Sequence, residues 1–157
     1  MKNLDSIFLS LGTNIGDKKK NLSDALSSLS DFMKVLGVSS VYKTEPLLYK
    51  DQDDFLNIVV EVDYQDTAQS LLKVIQNIEM QMGREKTVRY GPRIIDIDII
   101  FFKGDEIRQK DLTIPHYDWH NRLFVLQPLY ELLGRELDQS SYEIHEQKIT
   151  KIGTIKF

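Results

Sequence analysis

The stretch from Phe55 to Tyr64 constrains the fold more than any other part of the chain. Leu56, Ile58, Val60 and Val62 fall on one side of a period-two strand, with Phe55, Asn57, Val59 and Glu61 on the other. Such a strand needs partners, and the chain supplies three. Ser6 to Leu11 alternates and ends at Gly12, Val38 to Lys43 is β-branched and aromatic, and Ile94 to Phe102 is strongly apolar. Two helical periods lie between them. Asp17 to Met33 repeats Leu22, Ala25, Leu26, Leu29, Phe32 and Met33 at helical spacing. A second helix starts from Asp66 or Thr67 as cap, buries Leu71, Leu72, Ile75, Ile78 and Met82, and stops at Gly83. The order β-α-β-β-α-β predicts an α+β, ferredoxin-like antiparallel sheet with helices on one face. Val125 to Leu133 reads as an additional short helix with Pro128 near its start, and Gly134 to Phe157 as an aperiodic C-terminal extension. No repeat, low-complexity segment or linker interrupts the chain, so residues 1–157 are expected to form one domain.

Composition narrows the function classes. A chain of 157 residues can bury a real core, and 41% apolar with 28% charged residues is ordinary for a globular protein. The absence of cysteine excludes disulfides, thiolate catalysis and cysteine zinc sites. It fits a cytoplasmic location, as does an N-terminus without the basic and apolar regions of a secretory signal. No apolar run is long enough to cross a membrane. A net charge of −4 argues against a general nucleic-acid binder, so an anionic ligand must be held by a local patch.

Two tempting motifs fail. Gly12 to Lys18 follows a strand and opens a helix, but its glycines are one residue too close for a phosphate loop, and Asp17 stands where the lysine belongs. A helix-entry turn is the better reading. His116 and His120 are four apart, yet Tyr117-Asp118-Trp119 between them lacks the glutamate of a zinc protease.

The chemistry concentrates in residues 84–102. Period two puts Asp96 and Asp98 on one face of their strand, with α-carbons roughly 6.5–7 Å apart, while Ile95, Ile97 and Ile99 face the other way. An alternating strand with one wet face would account for them. Two carboxylates beside an apolar run nonetheless cost free energy unless a cation or donors pair with them. Oxygen ligands of this kind suit Mg²⁺, which takes one or two carboxylates together with substrate phosphates. Just upstream, Arg84, Lys86, Arg89 and Arg93 stand against Glu85 alone, in a stretch broken by Gly91 and Pro92. A loop delivering guanidinium groups beside metal-binding acids has the parts phosphoryl transfer needs. Thr113 to Phe124 adds His116, Arg122 and several aromatics in a loop containing Pro115.

Together these stretches resemble the 6-hydroxymethyl-7,8-dihydropterin pyrophosphokinase family. The matching elements are Leu11-Gly12-Thr13-Asn14-Ile15-Gly16, Tyr42 to Leu47, Asp51 to Asn57, Gly91-Pro92-Arg93-Ile94-Ile95-Asp96-Ile97-Asp98, and Pro115-His116-Tyr117 through Asn121-Arg122-Leu123-Phe124. The resemblance implies transfer of the β,γ-pyrophosphoryl group of ATP to the pterin hydroxymethyl group, giving the pterin diphosphate and AMP in folate biosynthesis. It implies that Asp96 and Asp98 hold two Mg²⁺ ions, with Asp96 also near the pterin, and that Arg84 and Arg93 act in catalysis. Phe55 and Phe124 would sandwich the pterin, with Asn57 and the backbone at Thr44, Pro46 and Leu47 at its hydrogen-bonding edge. Gln76, Glu79, Arg84, Arg93, Ile99, Thr113, His116, Tyr117 and Arg122 would line the ATP site. The sequence departs from the family's usual form in a loop between Gly83 and Gly91 one residue short, and in Tyr90 and Asp111. The expected partners are these small molecules, with no nucleic acid or membrane, and the expected state is a monomer. Two rival readings remain at this point: a non-enzymatic ferredoxin-like ligand-binding module, and another Mg²⁺-dependent nucleotidyl transferase that would release pyrophosphate.

Overall fold

Both faces of the strand running through residues 55–63 are buried, which sets the architecture. The computed structural model describes residues 5–45, 51–83, 94–135 and 148–157. In chain order the elements are β1 (Ile7–Thr13), α1 (Lys18–Ser30), β2 (Lys34–Val38), β3 (Val41–Thr44), β4 (Phe55–Asp63), α2 (Ala68–Gln81) and β5 (Asp96–Phe102). There follow β6 (Ile107–Arg108), β7 (Thr113–Ile114), a single 3-10 turn at Trp119–Asn121, α3 (Leu123–Leu133) and β8 (Ile149–Gly153). Among the described residues the main sheet runs β5-β1-β4-β3-β8, with β2 also pairing with β4, and every pairing is antiparallel. This is the ferredoxin-like α+β arrangement, extended at one edge by β8. No helix among the described residues is long and apolar enough to cross a membrane.

Capping chemistry sets the helix ends. The Asp17 carboxylate accepts from the Lys20 amide at 3.2 Å, so the Gly12–Lys18 turn is a helix entry as its spacing implied. Thr67 caps α2 through a bond from the Ser70 amide at 3.1 Å, and Gly83, at φ 83°, ends it. α1 stops at Ser30, three residues short of the expected Met33. Phe32 turns to solvent, while Met33 remains in the core as the chain enters β2.

Several expectations need correction. The single strand Val38–Lys43 is two strands, β2 and β3, parted at Ser39–Ser40. There the Ser39 hydroxyl accepts from the Val59 amide at 2.9 Å and donates to the Ser40 carbonyl at 2.8 Å, replacing regular pairing. β2 also carries a bulge between Val35 and Gly37 that leaves Leu36 47% exposed, so its side chains break period two. The strand written as Ile94–Phe102 begins at Asp96. Within the unassigned tail, Ile149–Gly153 forms β8 against β3.

A further correction concerns the layers. Helices were expected on one face, and α1 and α2 do cover one, packing on Ile7, Leu9, Leu11, Ile58, Val60, Val62, Ile97 and Ile99. α3 packs on the opposite face, where Val125, Leu129 and Leu133 meet Phe8, Val59, Ile100 and Phe101. It starts at Leu123 rather than Val125, so Pro128 lies inside it, where the ring removes the bond to the Phe124 carbonyl. The helix ends at Gly134 (φ 68°) with the Gly134 and Arg135 amides donating to Glu131 and Tyr130 carbonyls.

A polar knot ties α3 to the sheet. The Tyr42 hydroxyl donates to Glu131 Oε1 at 2.6 Å, and the Ser40 amide donates to Oε2 at 2.8 Å. Burial works against the Glu131 charge, but these two donors outweigh it and hold the carboxyl below its usual range. Burial, then the bond to Glu131, pushes the Tyr42 phenol well above its usual range. Tyr42→Phe should therefore lower stability by about 1–2 kcal/mol, the worth of a partly exposed hydrogen bond to a charged group. The checking measurement is a urea titration in which the midpoint falls while the slope stays constant.

Candidate active site

α3 covers only part of its sheet face. Beyond Phe8, Val59 and Ile100, the same face carries Ser10 and Gly12 of β1, Thr44 of β3, Phe55 and Asn57 of β4, and Asp96 and Asp98 of β5. The register fixes their neighbours. Gly12 lies opposite Asn57 on one side and Asp96 on the other, and Ser10 lies opposite Val59 and Asp98. Asp96 and Asn57 are thus two strand spacings apart, roughly 9–10 Å between α-carbons. Both aspartates are half-buried, whereas Ile95, Ile97 and Ile99 point into the core, as the alternation required.

Asn57 is the most enclosed polar member, 3% exposed. Its Nδ2 donates to the Thr44 hydroxyl at 2.8 Å, and its Oδ1 lies over Gly12. Glu79 reaches the strand from α2. Its Oε2 accepts from the Ile97 amide at 2.9 Å, between the two acids, on an edge strand whose outer amides need partners. At 7% exposed, Glu79 holds the β5 main chain. Gln76, three residues earlier, is exposed.

The loop from Thr113 to Phe124 is fastened beside the far end of β5. The His116 amide donates to the Ile100 carbonyl at 3.0 Å, and Trp119 stands edge-on to Phe101 at 4.9 Å between centroids. The His116 ring accepts from the Asp118 amide at 3.2 Å through Nδ1, so the neutral ring carries its proton on Nε2. His116 stacks on Tyr117 at 4.8 Å and 24°, and Tyr117 is 67% exposed. Arg122 joins the parts: its guanidinium lies 5.9 Å from the Tyr117 ring and 5.6 Å from the Phe124 ring, and Nε is 3.4 Å from Asp118 Oδ2. Asn121, and then Arg122, hold the Asp118 carboxyl below its usual range.

The structure therefore gathers the expected residues into two groups. Thr44, Phe55, Asn57, Asp96 and Asp98 share the sheet floor; His116, Tyr117 and Arg122 of the loop gather with Phe124 in the first turn of α3. Thr113 is exposed on β7. The Ile99 side chain is 5% exposed in the core under α1 and α2, the side to which the alternation assigned it, so a contact with ATP there would fall to its main chain. Pro46, Leu47, Arg84, Lys86, Arg89 and Arg93 lie outside the described residues. Three further residues that had no assigned role belong to the site's frame. Gly12 makes room for Asn57, and Tyr42 anchors α3. Asn14 ties the turn after β1 to the segment before Phe55, with Nδ2 donating to Gln52 Oε1 at 2.7 Å and to the Asp53 carbonyl at 3.2 Å.

Comparison with known proteins is consistent along most of the chain. A family model described as 7,8-dihydro-6-hydroxymethylpterin-pyrophosphokinase matches residues 8–134. A Bacillus subtilis 2-amino-4-hydroxy-6-hydroxymethyldihydropteridine pyrophosphokinase is 38% identical over 151 residues, covering 90% of each protein. A bifunctional protein FolKE of Lactococcus lactis subsp. cremoris is 38% identical over 96% of this chain, which spans 43% of that relative. The folic acid synthesis protein fol1 of Schizosaccharomyces pombe is 45% identical over 80% of this chain, which spans 17% of it. Among solved structures, Plasmodium falciparum HPPK-DHPS superposes with a TM-score of 0.55 at 19% identity, covering 79% of this chain and 37% of that one, a likeness of fold.

Burial, and then the Arg122 charge, lower the His116 pKa to about 4 from an ordinary 6.5. Between those values the unfolded chain binds a proton that the folded chain does not. This residue therefore lowers stability progressively as pH falls from about 6.5 to about 4, and leaves it unaffected above that window. An NMR titration of the His116 ring carbon should show a midpoint near 4 in the ligand-free protein; a midpoint at the ordinary value would contradict the buried, neutral ring.

Proposed function

The chain belongs to the 7,8-dihydro-6-hydroxymethylpterin-pyrophosphokinase family, and from that premise we propose that it transfers the β,γ-pyrophosphoryl group of ATP to the hydroxymethyl oxygen of 6-hydroxymethyl-7,8-dihydropterin, releasing AMP, as a step of folate biosynthesis. In this reading residues 1–157 act as one monomeric pyrophosphokinase domain in the cytoplasm. The observation that carries it is the row Asp96, Gly12, Asn57, which sets a carboxylate pair and a buried carboxamide on one rigid sheet face.

A pterin is a flat ring system with apolar faces and a pyrimidinone edge of alternating donors and acceptors. Phe55 and Phe124 take its faces, and Asn57 with the main chain at Thr44, Pro46 and Leu47 takes its edge. ATP lies along β5 and the Thr113–Phe124 loop. Tyr117 and the Ile99 main chain serve the base and ribose, with Gln76 and Thr113 at the margin, and Glu79 contributes by holding β5. His116, a donor at Nε2, joins Arg84, Arg93 and Arg122 on the phosphates.

Asp96 and Asp98 offer oxygen donors only, half-buried on one face. Among the described residues no group of three or more potential metal-binding side chains occurs. Two carboxylates without a full protein cage fit Mg²⁺, which completes its shell with water and substrate phosphates. Bound there as two ions, Mg²⁺ would neutralise charge on the triphosphate.

The chemistry needs no covalent enzyme intermediate. The pterin hydroxyl oxygen forms a bond to the β-phosphorus as the bond from that phosphorus to the oxygen bridging the α-phosphorus breaks. AMP leaves with the electron pair, and the hydroxyl proton passes to solvent. Holding the two substrates in line removes the entropy of their encounter, and the arginines stabilise charge spread over the transferring group.

AMP should form only when 6-hydroxymethyl-7,8-dihydropterin, ATP and Mg²⁺ are all present, as read by chromatography of the nucleotides. Pyrophosphate in place of AMP would instead indicate a nucleotidyl transferase, and neither product a ligand-binding module. Asp98→Ala should lower kcat by roughly 10²–10³-fold or more, the scale of losing a charge-stabilising group. Near-normal turnover in a variant with unchanged circular dichroism would remove Asp98 from the metal site.

A further inference from the structure

Gly12, the penultimate residue of β1, is paired with β4 on one side and β5 on the other, where glycine weakens a strand and needs a reason. Its φ lies outside the left-handed region, so the backbone alone does not require glycine. The reason is steric. A β-carbon at this position would sit 2.9 Å from Asn57 Oδ1 and 3.9 Å from Asn57 Cγ. The Asn57 carboxamide thus reaches from β4 across the bare α-carbon of β1, towards the strand that carries Asp96.

The other end of that carboxamide is fixed. Nδ2 donates to the Thr44 hydroxyl at 2.8 Å, which holds Oδ1 over Gly12. Asn57 is 3% exposed, and among the described residues the side-chain hydrogen bond shown for its carboxamide is the donation to Thr44, which leaves Oδ1 as an acceptor. A buried acceptor is costly to leave unsatisfied, and a ligand N–H placed against it removes that cost. We infer that Gly12 is a positioning residue: its missing side chain sets the Asn57 carboxamide so that Oδ1 accepts from an N–H donor on the edge of a flat heterocycle lying between Asn57 and Asp96. The inference rests on the reading that Asn57 binds the pterin edge. Because the obstructing atom is the tip of a side chain, an added methyl group displaces the carboxamide rather than the strand, and recognition is lost while the sheet persists.

The test is a double-mutant cycle in binding. Affinities for 6-hydroxymethylpterin, the oxidised substrate analogue, and for α,β-methylene-ATP are measured by calorimetry on the parent chain, Gly12→Ala, Asn57→Ala and the double variant. Gly12→Ala should weaken pterin binding roughly 10- to 100-fold, the range for leaving one buried hydrogen bond unmade, with nucleotide affinity unchanged. In the Asn57→Ala background, where no carboxamide remains to be displaced, Gly12→Ala should cost nothing further. A purely structural glycine would cost the same in both backgrounds, and that result, or pterin affinity within twofold of the parent, overturns the inference. Thr44→Val releases the same carboxamide without adding volume. It should reproduce the selective pterin loss even if Gly12→Ala folds poorly, and unchanged pterin binding in this variant also overturns the inference. A parent chain that binds no pterin, or an Asn57→Ala variant that binds it undiminished, overturns the functional reading and this inference with it.

Discussion

The antiparallel pairing of β1 with both β4 and β5 is the constraint on which the rest of the structure depends. Its register places Gly12 between Asn57 and Asp96, and Ser10 between Val59 and Asp98. A slip of one residue on β5 would turn Asp96 and Asp98 into the core and Ile97 and Ile99 out of it. Burying two unpaired carboxylates costs several kcal/mol each, and exposing the isoleucines forfeits about 1.5–3 kcal/mol apiece. The acids and the aliphatic residues therefore specify the same register from opposite faces, and the residues assigned to the chemistry also help select the fold.

A sheet packed on both faces usually has no room for a ligand. Here α3 ends its coverage at Phe8, Val59 and Ile100, and the polar positions beyond them share the face without sharing that core. The division is held by the Tyr42–Glu131 knot at one end of α3, and by the Trp119–Phe101 contact and the His116–Ile100 hydrogen bond near the other. The floor is rigid because its members are strand residues with paired main chains. Glu79 extends that rigidity to the open edge of β5, where the Ile97 amide would otherwise lack a strand partner. The loop from Thr113 to Phe124 brings the adaptable side chains, with Arg122 lying against both Tyr117 and Phe124.

Much of this was legible in the order of residues. Helices α1 and α2, a cap for α2 at Asp66 or Thr67, the alternation of β4 and the shared face of Asp96 and Asp98 follow from periods of 3.6 and 2 and from local capping chemistry. β2 was not legible, because the bulge at Leu36 breaks the alternation by which strands are recognised. The burial of Val59 and Phe8 under α3 was also hidden. An apolar residue on the second face of a strand signals that something covers it, without saying what. For Ile99 the alternation put the side chain on the core face, and the packing adds which helices cover it.

The sequence by itself determined which residues alternate, which cap, and which carry charge beside apolar neighbours, because those properties depend on separations of a few residues along the chain. Only the tertiary structure decided that a glycine at position 12 lies beneath a carboxamide from position 57, and that a glutamate at position 79 holds the amide of position 97. Such pairings are set by strand register and helix docking. Many segments contribute to both at once, and no local pattern of residue types encodes the outcome.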